Sequence, residues 1–199
     1  MVVGSNENSM RINEIFYSLQ GEGYYTGTPA VFIRLSGCNL KCSFCDTEHE
    51  AFVEMTEREI MEKVNEFPAS HVVITGGEPT LQLTHTLVKH LHDVGKYVQI
   101  ETNGTNVIPE EWGIDWITCS PKDAEVKLKR IDELKVVYVG KSQDMSRYDD
   151  FDARVRSLQP CDTKNVELNS IILKEAIDYC LQHPVWRLSL QTHKIIDVR

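Results

Sequence analysis

Ala30-Val31-Phe32-Ile33-Arg34-Leu35-Ser36-Gly37-Cys38-Asn39-Leu40-Lys41-Cys42-Ser43-Phe44-Cys45-Asp46-Thr47 is the stretch from which the rest of the chain is read. Its first half is a nearly continuous apolar run, the pattern of a parallel strand covered on both faces. Its second half sets three thiols, Cys38, Cys42 and Cys45, at C-x3-C-x2-C spacing on one loop. A loop of that length can fold three side chains inward around a common point. A cubane of four irons and four sulfides normally takes four cysteines. Three leave one iron with an open coordination position, by the logic that separates catalytic from structural zinc. An open iron can bind a substrate or cofactor and pass it an electron.

The bulk properties bound the alternatives. A chain of 199 residues suits one domain with a full core. With 41% hydrophobic and 26% charged residues it has the composition of an ordinary globular protein. A net charge of -9 argues against nucleic acid as a partner, which needs a positive footprint. No apolar run approaches the roughly 20 residues that span a bilayer, and the polar start has no signal-peptide core. Residues 1–10 are expected to be a disordered leader and residues 11–199 a single cytoplasmic domain. In that compartment the cysteines stay reduced, so Cys38, Cys42 and Cys45 read as metal ligands rather than disulfides. Cys119, Cys161 and Cys180 lie singly and read as packing residues.

Outward from the cysteine loop, Arg11 to Leu19 is ambiguous between strand and helix. It leads into Gln20-Gly21-Glu22-Gly23, either a simple turn or a loop facing the cluster. Arg34 shares a strand face with Phe32, and a guanidinium there needs an anionic partner. An internal salt bridge and a clamp on a substrate carboxylate both satisfy that need. Thr56-Glu57-Arg58-Glu59 is a capping box that opens a helix to about Phe67. His71 to Thr75 is a strand ending in Gly76-Gly77-Glu78-Pro79, and Leu81 to Val94 a helix closed by Gly95. Further strands are expected at Tyr97–Glu101, Trp116–Cys119, Leu134–Val139, Val155–Gln159 and Trp186–Leu190, with a helix over Ile171–Gln182.

Polar or glycine-rich clusters follow the strands that end at Leu35, Thr75, Glu101, Cys119 and Leu190. In a parallel α/β fold those ends share one edge, where ligands bind. Several connections are too short to carry a helix. The expected architecture is therefore α/β, an abbreviated, open, partial TIM-like barrel of about six parallel strands with few crossover helices.

The cysteine spacing with Phe44 before the last thiol, together with Gly76-Gly77-Glu78-Pro79, resembles the radical S-adenosylmethionine superfamily. The resemblance implies a 4Fe-4S cluster on Cys38, Cys42 and Cys45, with S-adenosylmethionine chelated at the open iron. It also implies reductive cleavage of that cofactor to a 5′-deoxyadenosyl radical. Leu19-Gln20-Gly21-Glu22-Gly23, Arg34, Cys45-Asp46-Thr47, Ser120-Pro121-Lys122 and Gln191-Thr192-His193-Lys194 are similar, within it, to the 7-carboxy-7-deazaguanine synthases.

That closer likeness implies a magnesium-dependent homodimer that contracts the ring of 6-carboxy-5,6,7,8-tetrahydropterin with loss of ammonia, on the route to queuosine. An electron donor such as flavodoxin is implied. Leu19, Gln20, Gly21, Glu22, Arg34, Thr75 and His193 would hold the pterin, with the terminal carboxylate of Arg199 reaching the same pocket. Thr47 would ligate Mg2+, a hard cation that keeps part of its water shell. Phe44, Cys45, Asp46, Gly77, Glu78, Glu101, Asn103, Ser120, Pro121, Lys122, Gln191, Thr192, His193 and Lys194 would contact S-adenosylmethionine. Two other readings of the cysteine loop compete. One is a structural zinc knuckle on Cys38, Cys42, Cys45 and His49. The other is a radical activase acting on a partner enzyme's glycyl residue.

Overall fold

Alternation along two strands fixes what each side of the sheet becomes. In the computed structural model, which describes residues 9–42, 45 and 50–199, β2 (Pro29–Leu35) sends Val31, Ile33 and Leu35 to one side and Phe32 and Arg34 to the other. The first set joins a core with Val72 and Ile74 of β4 (His71–Gly76) and Val98 and Ile100 of β5 (Tyr97–Thr102). Two helices cover it: α1 (Glu57–Asn65) through Ile60 and Val64, and α2 (His85–Asp93) through Leu87, Val88 and Leu91. In β7 (Ile131–Tyr138), Leu134, Val136 and Tyr138 pack in a second core beneath Ile172 and Ala176 of α3 (Val166–Gln182). The intervening residues of these strands turn to the inner face.

Among the described residues nine strands form one sheet in the order β3-β1-β2-β4-β5-β6-β7-β8-β9. They include β1 (Ser9–Leu19), β3 (Val53–Thr56), β6 (Trp116–Cys119), β8 (Ala153–Pro160) and β9 (Trp186–Leu188). From β2 to β9 every pairing is parallel, giving seven parallel strands where about six were expected. Among the described strands β1 alone is reversed, pairing antiparallel with both β2 and β3.

The two ends of this sheet approach each other without pairing. The loop after β1 meets the segment after β9: the Thr192 amide donates to the Gly21 carbonyl at 2.9 Å and the Gly23 amide to Ser189 Oγ at 2.8 Å. The sheet is thus curled into a barrel closed by a loop, the partial barrel expected from the short connections.

Differences from the sequence reading have local causes. Ser9 and Met10, placed in the leader, begin β1 opposite Thr56 and Met55, with Met10 buried. The segment 11–19 resolves as strand. The helix expected from Leu81 starts later, because the Glu78 carboxylate caps a short 3₁₀ turn, Pro79–Leu81, and Thr84 then caps α2. Conversely α3 begins at Val166, five residues early, where the Asn165 side chain accepts the Leu168 amide at 3.0 Å. The capping box at Thr56 and Glu59 is present. Among the described residues no helix is long and apolar enough to cross a membrane.

Candidate active site

The carboxyl ends of the parallel strands open into a cavity of about 490 Å³. Cys38, Cys42 and Cys45 line it together with Gly76 and Gly77 at the end of β4, Glu101 of β5 and Asn103 just after it, and Ser120 and Lys122 after β6. The cysteine loop is held by its neighbours. The Gly77 amide donates to the Leu35 carbonyl (3.1 Å) and the Glu78 amide to the Gly37 carbonyl (2.9 Å). Asn103 Nδ2 donates to Asn39 Oδ1 (3.0 Å), and Asn39 Nδ2 to Thr105 Oγ1 (2.8 Å). The two loops lie so close that a Cβ on Gly77 would fall on the Gly37 carbonyl group.

Three thiols on one wall of a cavity, cradled by a glycine that admits no side chain, fit the donor chemistry of an iron–sulfur cluster with one open iron. The Leu40 amide already donates to Cys38 Sγ at 3.4 Å, a bond of the kind that stabilises cluster sulfur. Burial pushes the Cys42 thiol up, Lys122 pulls it down, and the neighbouring Cys38 and Cys45 add to the rise. Among the described residues no three Cys, His, Asp or Glu side chains stand gathered around one point. The three thiols share one wall of the cavity.

A second cavity, of about 370 Å³, adjoins the first. Glu22, Thr75 and Glu101 line both. Its remaining walls are Glu14, Phe16, Leu19, Gln20, Gly21, Phe32, Arg34, His193, Lys194 and Arg199. Arg34 is in the internal ion pair that the sequence allowed, and it also lines this cavity. Its Nε donates to Glu14 Oε1 at 2.9 Å, and Arg199 pairs with the other oxygen of the same carboxylate. Phe16 and Phe32 stack with ring centroids 4.9 Å apart, giving the pocket a flat apolar side, and the Arg34 guanidinium lies 5.8 Å from the Phe16 centroid.

The Gln20–Gly23 loop faces both cavities and also turns the chain. The backbone of Gly21 comes so near His193 that a Cβ would meet its ring and Cβ. This seats the short helix α4 (Thr192–Ile195) against the pocket.

Between the cavities runs a continuous polar chain. Gln191 Nε2 donates to Glu22 Oε1 (2.9 Å), and Lys135 Nζ to Glu22 Oε2 (2.7 Å) and Glu101 Oε2 (3.3 Å). Gln20 Nε2 donates to Glu101 Oε1 (3.0 Å). Burial alone would push the Glu22 carboxyl up, but the Lys135 ammonium, with help from Gln191 and His193, brings it down to about 2. Burial would likewise strip Lys135 of its proton, and Glu101 and Glu22 reverse that and hold it charged.

Several expected contacts fall elsewhere. Glu78 does not line either cavity. It is fully buried, and its carboxylate accepts from Thr80 N, Thr80 Oγ1, Thr102 Oγ1 and Asn103 N, tying the β4 and β5 loops together. Pro121 and Thr192 also stand outside the lining. Thr192 instead fixes the Gly21 carbonyl, with its Oγ1 donating at 2.5 Å. Phe44, Asp46, Thr47 and His49 lie outside the described residues.

Other lining residues had not been singled out: Lys135 and Val137 of β7, and Gln159, Cys161 and Asp162 at the end of β8. Cys161, a packing residue by its isolation in the sequence, is buried but borders the cavity. Cys119 is packing indeed. It is wholly buried, its thiol pushed up to about 12 by that burial and then by Glu78. The signal for Lys135 was a lone cation inside an apolar strand, the same signal that drew attention to Arg34.

Comparison with known proteins agrees with this geometry. The radical SAM superfamily profile matches residues 32–140. A 7-carboxy-7-deazaguanine synthase of Bacteroides thetaiotaomicron is 57% identical over 190 residues, covering 95% of this chain and 98% of the relative. The one from Bradyrhizobium diazoefficiens is 38% identical over 214 residues, covering 96% and 100%. The crystal structure of QueE from Escherichia coli superposes with a TM-score of 0.77 at 31% identity, over 93% of this chain and 95% of that one.

Proposed function

The chain belongs to the radical SAM superfamily and, within it, to the 7-carboxy-7-deazaguanine synthases, and from that footing we propose that it converts 6-carboxy-5,6,7,8-tetrahydropterin to 7-carboxy-7-deazaguanine with loss of ammonia. The observation that carries the reading is the pair of adjoining cavities. One is lined by the three cysteines and the glycine strand end, the other by Arg34, Gln20 and a flat aromatic wall, and Glu22, Thr75 and Glu101 are common to both. Two ligands bound there would meet at those three residues.

Cys38, Cys42 and Cys45 would hold the 4Fe-4S cluster. Asn103, Ser120, Lys122 and Gln191 line the same cavity and would bind S-adenosylmethionine beside it. When bound, cluster and cofactor supply reversible hydrogen-atom abstraction at the substrate carbon. The protein's part is to position and to exclude water. Arg34 presents a planar fork suited to the pterin carboxylate, and the Phe16–Phe32 stack offers a face for the heterocycle. Gln20, Glu22 and Glu101 supply acceptors for its N–H edge. Lys194 bridges to Asp162 at 2.8 Å, joining the rims of the two cavities. Such a walled pocket suits a small carboxylated substrate better than a glycyl loop of a partner enzyme.

Thr47 is the proposed Mg2+ ligand, and a flavodoxin-type donor the proposed reductant. The proposed homodimer is supported by the apolar side chains that α3 and the segment after it leave exposed beside the edge strand β9, among them Val166, Ile171, Leu181 and Val185. A cytoplasmic location follows from the reduced cysteines this chemistry needs.

Anaerobic turnover tests the assignment. Reconstituted, reduced protein is mixed with S-adenosylmethionine, Mg2+ and the carboxypterin, and product is followed by mass. Formation of 7-carboxy-7-deazaguanine, abolished by Cys42→Ala, is expected. Cofactor cleavage without that product would leave the superfamily standing and overturn the substrate.

A further inference from the structure

We propose that Lys135 is the positioning residue of this site, an ammonium beneath the junction of the two cavities that holds the Glu22 and Glu101 carboxylates in place as paired hydrogen-bond acceptors for the N–H edge of the pterin. The inference rests on the pterin reading for the identity of the ligand and on geometry for the clamp.

β7 supplies the geometry. Its outward residues pack under α3, so Glu133, Lys135 and Val137 project inward at successively higher levels, and Val137 reaches the cofactor cavity. Lys135 is 4% exposed, which leaves its ammonium no solvent shell. Its Nζ is 2.7 Å from Glu22 on the β1–β2 loop and 3.3 Å from Glu101 on β5, two elements with no strand pairing between them. One cation therefore sets the spacing of two acceptors that arrive from separate elements of the barrel. Each carboxylate's other oxygen is oriented by an amide, Gln191 on Glu22 and Gln20 on Glu101.

The groups that face Glu22 are Lys135, Glu101, His193 and, one level below, Glu133. Glu133 accepts the Tyr24 amide (2.9 Å), Ser157 Oγ (2.5 Å) and Thr118 Oγ1 (3.3 Å), so it is engaged by the barrel floor. Lys135 is then the cation that balances the acids of this interior. Without it, burial and the neighbouring Glu101 both drive Glu22 to take up a proton, which converts an acceptor into a donor facing the wrong partner.

Two readouts test this on the ligand-free protein. In ¹³C NMR of glutamate-labelled protein, with Glu22→Gln giving the assignment, the wild-type Glu22 carboxyl shows no titration step between about pH 4 and 8. In Lys135→Met it titrates above its ordinary value of 4.5. Equilibrium binding of 6-carboxypterin, a non-reacting analogue, weakens at least about 10-fold in Lys135→Met and becomes pH-dependent over the same range. Lys135→Arg, which keeps the charge, retains the wild-type titration. If Lys135→Met fails to fold, Lys135→Met/Glu101→Gln, which removes one charge of each sign, is compared with Glu101→Gln alone, and the difference between the two in Glu22 titration and in analogue binding carries the test.

A Glu22 titration unchanged by loss of Lys135, or analogue binding with wild-type affinity and pH profile, overturns the clamp. A wild-type protein that shows the Lys135-dependent titration but binds no pterin upholds the clamp and overturns the substrate reading.

Discussion

Gly77→Ala is the smallest change that tests whether close backbone approach builds the cluster site. A Cβ at this position would lie 2.5 Å from the Gly37 carbonyl carbon and 2.9 Å from Cys38 Cβ. Carbon atoms pack best at roughly 3.5–4.0 Å, so one loop must recede by about 1 Å. The Gly77 and Glu78 amides are bonded across the same gap to Leu35 and Gly37, so recession strains both bonds. Overpacking of this kind costs about 1–3 kcal/mol. The core between sheet and helices is not touched, and the protein should still fold. A displacement of about 1 Å at a reacting centre can lower a rate by about 10²-fold. The expected result is a folded protein that takes up less iron on anaerobic reconstitution and cleaves S-adenosylmethionine about 10²-fold more slowly. Iron and sulfide content, Tm and 5′-deoxyadenosine formation are the measurements. Full iron content with cleavage within about twofold of wild type would refute the argument, since the cradle would then have room that the geometry denies it.

Three further outcomes follow from the same site. Glu78→Gln places an amide N–H against backbone and hydroxyl donors in a fully buried position, and a loss of about 2 kcal/mol should lower Tm by roughly 4–8 °C in thermal denaturation. Because the Glu22 carboxyl is held near 2 against an ordinary 4.5, its ionised form contributes stability above about pH 4.5 that is lost as pH falls toward 2. The gap in urea-unfolding free energy between wild type and Glu22→Gln, on the order of 3 kcal/mol near neutrality, should therefore shrink across that window and not on the alkaline side. Arg34→Lys keeps the charge but not the fork, and Arg34→Ala keeps neither. Binding of 6-carboxypterin should weaken in both and more in the alanine variant, by roughly 30-fold or more, whereas the decarboxylated pterin should lose little.

The fold was largely legible because its strands announce themselves twice, by apolar runs and by the polar clusters where they end. Val31–Leu35 and His71–Thr75 are read directly as parallel strands, and the shortage of helical stretches between later strands points to an incomplete barrel. What escaped were features decided by tertiary partners. Arg11 to Leu19 carries apolar residues compatible with either period, and only antiparallel pairing with β2 and β3 settles it as strand. Leu81 to Thr84 carries a helical pattern, but the Glu78 side chain captures the Thr80 amide and delays the helix. Such competition between a side chain and the backbone is not visible in residue periodicity.

The site divides along a different line. Residues whose chemistry demands a partner, such as the three cysteines and Arg34, could be singled out one by one. Residues whose role depends on which way a strand faces could not. Glu78 follows two glycines at a strand end and was read as a ligand contact, yet its carboxylate is turned inward to join two loops. Lys135 is a lone cation between Leu134 and Val136, the same signal as Arg34, but the sequence does not say which way it faces or which acids it meets. The register of β7 puts its neighbours under α3 and so leaves Lys135 alone on the inner face with Glu133 and Val137. A buried ammonium persists only with anions within reach, and the acids that pair with it come from other elements, Glu22 and Glu101. Arg34 meets the same requirement on β2 through Glu14 of β1. Lys135 and Arg34 thus each fix acidic side chains at the pocket wall, and a buried cation inside an apolar strand marks the level at which such a barrel stops being core and becomes a binding site.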